Sequence, residues 1–182
     1  LTHPSIKYLS VVIFYDLDEF GAHVLGASKD RPIINDWAHK NGEAGWMRAI
    51  QARELLAQDK IVLNGWSVIP GGFLAEVMAS LGWDALTIDM QHGIIGQPDM
   101  VAMLQAISTT PLTPMVRLAA NDPMLVGQAL DAGAMGVICP LINSPEEAAS
   151  FVAACRYPPH GVRSSGATRA MIYAGFDYGG FS

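Results

Sequence analysis

The sequence predicts an α/β fold in which the strands run parallel. From Met47 onward, short apolar strand segments and longer helical segments alternate four times, with about 25 residues between successive strands. The strand segments are almost continuously apolar, as is typical of parallel strands that are buried on both faces. Two architectures fit: a doubly wound open sheet, and half of an eight-stranded β/α barrel. The G-x-G-x-x-G turn that would favour the open sheet does not follow the first strand.

Each element of this pattern has its own local signal. Prolines lie near the predicted helix starts, Ser144 and either Asn121 or Asp122 are predicted N-caps, and Gly82 and Gly133 end helices. The strands are predicted at residues 61–68, 85–90, 113–118 and 136–141. The helices are predicted at residues 47–59, 73–82, 98–109, 121 or 122 to 131, and 144–156.

The composition is that of one ordinary domain with a sizeable core. Of 182 residues, 51% are hydrophobic and 15% are charged, which excludes overall disorder. The net charge of −6 gives no nucleic-acid footprint. No apolar run reaches membrane-spanning length and no secretory signal pattern is present, so we expect a cytoplasmic protein without membrane partners. Cys139 lies in an apolar segment and Cys155 follows one, and both are predicted to be buried thiols rather than a disulfide or a nucleophile.

Residues 1–46 do not follow the strand–helix pattern, so we assign them to an extension of unknown structure and residues 47–182 to the domain. The stretch IFYDLDEFG resembles the strand and D-x-D opening of haloacid-dehalogenase-type phosphatases, but it continues with Glu19 and Phe20 where such motifs have Gly-Thr. A short strand with an acidic turn is the preferred interpretation. Because the chain begins with Leu1, we expect it to be part of a longer reading frame, with Met47 as a candidate natural start.

Polar side chains follow the predicted strands at their C-terminal ends, where parallel β/α proteins build their active sites. Asp89 and His92 lie three residues apart in the stretch ALTIDMQHG, at the end of the second strand. A carboxylate bonded to one imidazole nitrogen fixes the tautomer and raises the basicity of the other nitrogen. The pair is therefore a candidate for proton transfer. The alternatives are a surface histidine and an aspartate that only caps the turn.

Arg117 lies in the otherwise apolar third strand, and a buried guanidinium requires an anionic partner. That partner is either a structural carboxylate such as Asp89, or a substrate carboxylate or enolate oxygen. Gln91 is a candidate to bond a substrate or a metal-bound water. Trp66, after the first strand, is a candidate pocket wall, with a core or interface position as the alternative.

The stretch RYPPHGVRSSGATRA is predicted to be a loop, and it carries Arg156, Arg163 and Arg169. Pro158 and Pro159 stiffen it, which argues against a flexible linker. A solvated basic loop is one interpretation. A rigid loop that covers the strand ends, or that makes a subunit contact, is the other.

Four segments carry a family resemblance. They are NGWSVIPGGFLAEVMASLGWDALTIDMQHG, PMVRLAANDP, GAMGVICPLINSPEEA and RYPPHGVRSSGATRA. In this order and spacing they resemble the 4-hydroxy-2-oxoheptanedioate aldolases, metal-dependent class II pyruvate aldolases related to the citrate lyase β subunit. The resemblance runs from about Met47 to the end of the chain.

The resemblance implies the N-terminal half of a (β/α)8 TIM-type barrel, about four β/α units, in a homo-oligomer. It implies a lyase that cleaves 4-hydroxy-2-oxo acids to pyruvate and an aldehyde. A divalent ion (Mg²⁺, Mn²⁺ or Co²⁺) would chelate the small 2-oxo acid and stabilise its enolate. His92 would then be the acid or base, acting through a water. Asp89 would orient and polarise it, and Arg117 would hold the keto or enolate oxygen.

The sequence departs from the family pattern at the metal ligands. The family's ligands are a Glu and an Asp on later strands, expected beyond Ser182, so no metal ligand is assigned in this chain. Gln91 stands where many relatives carry Glu. The sequence therefore holds the proton-transfer half of the site without the metal half. The alternatives are a citryl-thioester lyase on the same scaffold and a non-catalytic half-barrel that acts as an assembly or binding partner.

Overall fold

The computed structural model describes residues 9–14, 50–174 and 178. Within these residues the chain forms five strands and six helices. The strands are β1 (Leu9–Phe14), β2 (Asn64–Ser67), β3 (Ala85–Asp89), β4 (Thr113–Arg117) and β5 (Gly136–Ile142). The helices are α1 (Gln51–Ala57), α2 (Gly72–Ala79), α3 (Gln97–Ile107), α4 (Pro123–Asp131), α5 (Pro145–Cys155) and α6 (Thr168–Ala174).

The strands form one sheet in the order β1-β5-β4-β3-β2. β2 to β5 are parallel, whereas β1 pairs antiparallel with the outer edge of β5. The predicted α/β fold with four β/α units is confirmed. β1 lies in the segment assigned to the extension, and it joins the sheet outside the β/α order. Asp16 and Asp18, which carry the phosphatase resemblance, lie outside the described residues.

The two faces of the sheet are packed differently. One face carries Leu86, Ile88 and Val116, which pack with buried residues of the helices in the main core. The other face, which we call the inner face, carries Ala85, Met115 and Ile138. Ala52 of α1 packs on the inner face with them. Because side chains alternate along a strand, the last residues of β3 and β4 also point to the inner face.

Helix starts and strand ends lie at the same edge of the sheet, because each parallel strand leads into the next helix. Two side chains cap the helices at this edge. The Asp122 carboxylate accepts a hydrogen bond from the Met124 N–H (2.8 Å), and the Ser144 hydroxyl accepts one from the Glu147 N–H (3.1 Å). Asp122, not Asn121, is therefore the cap of α4. Each side chain satisfies a donor that the first helical turn leaves free. We call this edge the upper edge, and the opposite edge, where the helices end, the lower edge.

Several predicted boundaries are wrong, among them the start of β2 and the end of the predicted loop. β2 begins at Asn64 and not at Ile61, because the N–H of Leu63 bonds to the Asp84 carboxylate (2.8 Å) and Ile61 is 85% exposed. The predicted loop ends early, because Thr168 starts α6. The buried side chain of Ala170 packs this helix into the main core. Among the described residues, no helix is both long and apolar enough to cross a membrane.

Candidate active site

Asp89 is the centre of a polar cluster at the upper edge. It is the last residue of β3 and is only 1% exposed. One carboxylate oxygen accepts hydrogen bonds from the Arg117 Nε (2.9 Å) and from the backbone N–H groups of Gln91 (2.9 Å) and His92 (3.2 Å). The other oxygen accepts from the Arg117 Nη2 and from the Trp66 indole N–H (3.1 Å). Both oxygens are therefore fully engaged within the protein.

This environment keeps Asp89 ionised. Burial raises the pKa of a carboxyl group, but the hydrogen bonds from Arg117, Trp66 and the backbone of His92 and Gln91 outweigh it. The net effect holds the pKa of Asp89 well below its usual range. Asp89 is thus a fixed anion and is not suited to exchange a proton near neutral pH.

Arg117 lies opposite Asp89 in the register of β3 and β4, which explains their contact. The ion pair named above as the structural alternative for this arginine is therefore present. Nε and Nη2 face Asp89, whereas Nη1 makes no hydrogen bond with any described residue. The side chain is 20% exposed. One edge of the guanidinium is held by the protein, and the other edge remains available to a ligand oxygen.

Trp66 closes one side of the cluster. It pairs with Thr87 in the register of β2 and β3, so its side chain shares the inner face with Asp89. Its ring lies 5.0 Å from the Arg117 guanidinium carbon, within cation–π distance. The indole is 41% exposed, so its free surface faces outward at the upper edge. The sequence suggested a pocket wall but not the hydrogen bond to Asp89, which depends on strand register.

His92 is held by its backbone. Asp89 accepts its N–H, and no hydrogen bond joins the Asp89 carboxylate to the imidazole among the described residues. The structure thus brings together the two residues predicted as a dyad, but it places the imidazole in an exposed position instead of on the carboxylate. Gln91 lies between them and is half-buried. Asp89 caps the turn that presents both side chains at the upper edge.

The arginine loop lies at the lower edge, away from this cluster. Arg163 is buried and pairs with Asp131, the last residue of α4 (2.5 Å), with its guanidinium 4.7 Å from the Tyr157 ring. Arg169 donates to the carbonyl oxygen of Ala132, which follows α4. The interpretations of this loop as a solvated basic segment or as a cover for the strand ends are therefore wrong for these arginines. They bind the C-terminal end of a helix, where cations are favoured.

The cysteines are confirmed as buried free thiols. Burial raises the pKa of Cys139 to about 12, and the negative charge of Glu147 adds to the effect. Burial likewise raises the pKa of Cys155 to about 12. Neither thiol is placed to act as a nucleophile, because the reactive form is the thiolate.

The described residues do not fit a divalent metal ion. Within residues 50–174 and 178, no three His, Cys, Asp or Glu side chains lie close enough together to hold one. Asp89, the buried carboxylate of the cluster, already uses both oxygens for Arg117, Trp66 and the backbone. A hard cation needs several oxygen ligands. Metal chelation at this cluster would thus require ligands other than these residues.

The carboxylate–guanidinium pair lies at the C-terminal ends of parallel strands, where β/α-barrel enzymes build their active sites. The family model described as HpcH/HpaI aldolase/citrate lyase matches residues 71–174, more than half of the chain. The chain belongs to this family, as the resemblance predicted.

Individual relatives agree with this assignment. The hydroxypyruvate/pyruvate aldolase of Rhizorhabdus wittichii is 41% identical over 116 residues, which are 64% of this chain and 46% of the relative. The 4-hydroxy-2-oxovalerate aldolase of Novosphingobium aromaticivorans is 35% identical over 122 residues, 66% of this chain and 47% of the relative. The chain thus spans about half the length of the curated relatives it matches.

A solved structure supports the fold. An HpcH/HpaI aldolase/citrate lyase family protein from Burkholderia cenocepacia J2315 superposes with a TM-score of 0.64 at 34% identity. The superposition covers 72% of this chain and 55% of that chain. With the four parallel strands, this partial coverage confirms the predicted fold class, a part of a β/α barrel.

Proposed function

We propose that this chain carries the enolate-binding and proton-transfer part of a pyruvate aldolase active site. The reaction is the retro-aldol cleavage of a 4-hydroxy-2-oxo acid to pyruvate and an aldehyde. The observation that carries the proposal is the guanidinium of Arg117, which Asp89 holds by one edge while Nη1 stays available at the upper edge. The names of the Rhizorhabdus and Novosphingobium relatives supply the substrate class.

Arg117 binds the oxygen on which negative charge develops. Carbon–carbon cleavage leaves an enolate of pyruvate, and a preorganised cation beside its oxygen lowers the barrier. The orientation of the guanidinium is fixed by two bonds to Asp89 and by the Trp66 ring. Asp89 is therefore a positioning residue in this mechanism, and Trp66 and Gln91 line the bound 2-oxo acid.

His92 moves the proton. In the cleavage direction a base removes the proton of the 4-hydroxyl group as the C3–C4 bond breaks and, once the aldehyde has left, the same group returns a proton to C3 of the enolate to give pyruvate. The His92 imidazole is exposed at the upper edge, and its backbone N–H is tied to the same carboxylate that holds Arg117. No described residue bonds the imidazole, so both ring nitrogens are available to a water or to the substrate.

The test is deuterium exchange into the methyl group of pyruvate in D₂O with Mg²⁺ or Mn²⁺, which reports enolate formation without any aldehyde. We expect little or no exchange from the chain by itself, because its described residues offer no metal site. In a hybrid, the matched 116-residue segment replaces its counterpart in the Rhizorhabdus wittichii aldolase. That hybrid is expected to exchange the methyl protons.

The variants His92→Asn and Arg117→Lys are expected to lower exchange by the hybrid at least a hundredfold, the scale of one lost acid–base or oxyanion group (about 10²-fold or more). His160→Asn is the matched control, since His160 is also exposed but lies in the loop after α5. A folded hybrid without exchange, or one that loses as much in the His160 variant as in the His92 variant, would contradict the proposal.

A further inference from the structure

β1 lies on a strand edge that has a different use in a β/α barrel. It pairs antiparallel with β5, on the side of β5 away from β4. In a closed barrel of β/α units, every strand has a parallel neighbour on each side. The parallel strands β2 to β5 are ordered in the sheet as they are in the chain, so β5 is the strand from which such a barrel continues. β1 therefore lies where the next barrel strand would pair, and it runs in the opposite direction.

The ladder between β1 and β5 is short. Residues 11–14 pair one to one with residues 136–139. Beyond them the register shifts, so that Pro140 and Leu141 form a β-bulge opposite a single residue of β1. Pro140 has no N–H to donate, and Leu141 has a φ of +59°, in the left-handed region that leucine rarely adopts. The pairing is thus regular at the start of β5 and interrupted towards its end.

β1 can leave β5 without breaking a β/α unit, because it precedes the first of these units in the chain. Among the described strands, β5 is the one with which β1 pairs. After its departure, β5 keeps the parallel ladder to β4, and Val137 and Cys139 keep their places in the main core. A strand that is attached through one short ladder belongs to the parts of a fold that open most easily.

The position of α1 indicates which partner fits the β5 edge. The Ala52 N–H donates to the hydroxyl of Thr113, the first residue of β4 (3.0 Å), and the Gln51 amide donates to the carboxylate of Asp84, just before β3 (3.1 Å). α1 thus lies at the lower edge, against the inner face. The interior of an eight-stranded barrel is filled by its own side chains. A second copy of the chain would bring a second α1 to this end of the barrel, so the partner that fits is a different half-barrel.

We infer that β1 is a displaceable cover on the β5 edge, and that the edge beneath it binds the strands that complete a β/α barrel of this family. The chain spans about half the length of its curated relatives, so the relatives contain β/α units beyond those found here. β1 and an incoming parallel strand need the same backbone groups of β5, so they exclude each other. The inference follows from the strand pairing and does not depend on the proposed function.

The experiment locks β1 in place with a disulfide. Val11 lies directly opposite Cys139, so Val11→Cys places a second thiol across the ladder from a native one. Opposite residues of antiparallel strands have Cα atoms about 4.5–5.5 Å apart, within the range that a disulfide spans. Refolding in a glutathione redox buffer forms the cross-link, and peptide mapping by mass spectrometry verifies it. The oxidised and reduced forms then compare one sequence with β1 locked and with β1 free.

The probe is the part of the Rhizorhabdus wittichii aldolase that follows its matched segment, diluted from urea into a solution of the full chain. Complex formation is measured by sedimentation velocity over a range of concentrations. We expect the wild type and the reduced variant to form a complex with the probe. Oxidation of the variant should raise the dissociation constant about tenfold or more, because a locked chain has no population with a free β5 edge.

Val12→Cys is the matched control, because residue 12 lies opposite Ile138 and meets no thiol across the ladder. A complex that weakens on oxidation of the Val11 variant, and not of the Val12 variant, supports the inference. Equal complexes in the two redox forms, no complex in any form, or failure of residues 11 and 139 to cross-link each overturn it. Dimers of the chain that disappear on oxidation of the Val11 variant would make a second copy the occupant and overturn the choice of partner.

Discussion

A single carboxylate organises the candidate site. Asp89 joins the indole of Trp66, the guanidinium of Arg117 and the backbone of the turn that carries His92. These partners come from β2 and β4, the two strands on either side of β3, and from the turn after β3. The carboxylate therefore fixes the position of every residue to which the proposed chemistry assigns a role, Gln91 included.

Asp89→Asn keeps the shape of the side chain and removes its charge. We expect the free energy of unfolding to fall by about 3 kcal/mol, because the variant leaves Arg117 partly buried without an anion. The measurement is urea unfolding at neutral pH. The matched control is Asp59→Asn at an exposed turn position with φ +55°, where the change should stay within about 0.5 kcal/mol. Equal losses in the two variants would contradict a special role for Asp89.

The lowered pKa of Asp89 makes stability depend on pH in acid. The pKa of the folded state lies below that of the unfolded state, so the unfolded chain takes up the proton first as the pH falls. The contribution of ionised Asp89 to the free energy of unfolding is complete above the pKa of an unfolded aspartate, about 4, and it is lost progressively at lower pH. We expect the wild type to lose stability below pH 4 more steeply than Asp89→Asn. Parallel curves for the two proteins in urea titrations would count against this prediction.

The turn after β3 is the element that presents His92, and it depends on Gly93. A Cβ at Gly93 would lie 2.2 Å from the Asp89 carbonyl oxygen and 3.0 Å from the Val68 carbonyl oxygen. Both are backbone atoms, so a side chain forces the turn itself to move. The N–H of Ile94 bonds the same Val68 oxygen (3.1 Å), which fixes the turn against the end of β2.

Gly93→Ala is therefore expected to lower the free energy of unfolding by about 2 kcal/mol, the usual scale for an inserted methyl group that does not fit. It should also broaden or shift the NMR signals of His92. Gly127→Ala is the matched control in the middle of α4, where nothing lies within 4 Å of the added Cβ. That variant should gain about 0.5–1 kcal/mol, because alanine is the better helix former. Thermal unfolding is the measurement, and a higher midpoint for Gly93→Ala than for Gly127→Ala would refute the requirement for glycine at position 93.

The sequence reveals elements more readily than it reveals contacts. Continuous apolar runs and caps predict the four parallel strands and their helices to within a few residues. The sequence does not predict the start of α6 at Thr168, because the glycines and prolines before it indicate a loop. The helix is stabilised by the burial of Ala170, which only the structure shows. The sequence indicates the Asp89–Arg117 ion pair as one of two possible partnerships for the arginine. The hydrogen bond from the Trp66 indole to Asp89 cannot be predicted from the sequence, because it depends on the register of β2 against β3.

At the scale of the whole molecule, β2 is an open edge of the sheet and the helix that follows it carries an exposed apolar stripe. β2 ends the sheet order, so no described strand pairs with its outer edge. On and just beyond α2, the helix that follows β2 in the chain, three large apolar side chains recur every four residues: Phe73, Val77 and Leu81, which are 79%, 43% and 63% exposed. An unpaired edge beside a stripe of large apolar side chains is a surface that proteins usually cover.

We expect this surface to drive self-association of the chain, and Phe73→Glu to reduce it. The side chain is largely exposed, so the change should alter the free energy of unfolding by no more than about 0.5 kcal/mol while placing a charge in the stripe. The measurement is sedimentation velocity over a range of protein concentrations. Ile172→Glu is the matched control, since Ile172 is 77% exposed but lies on α6 and outside the stripe. If the wild type stays monomeric throughout, or if the Ile172 variant dissociates as readily as the Phe73 variant, then the open side of the sheet is not what holds copies of the chain together.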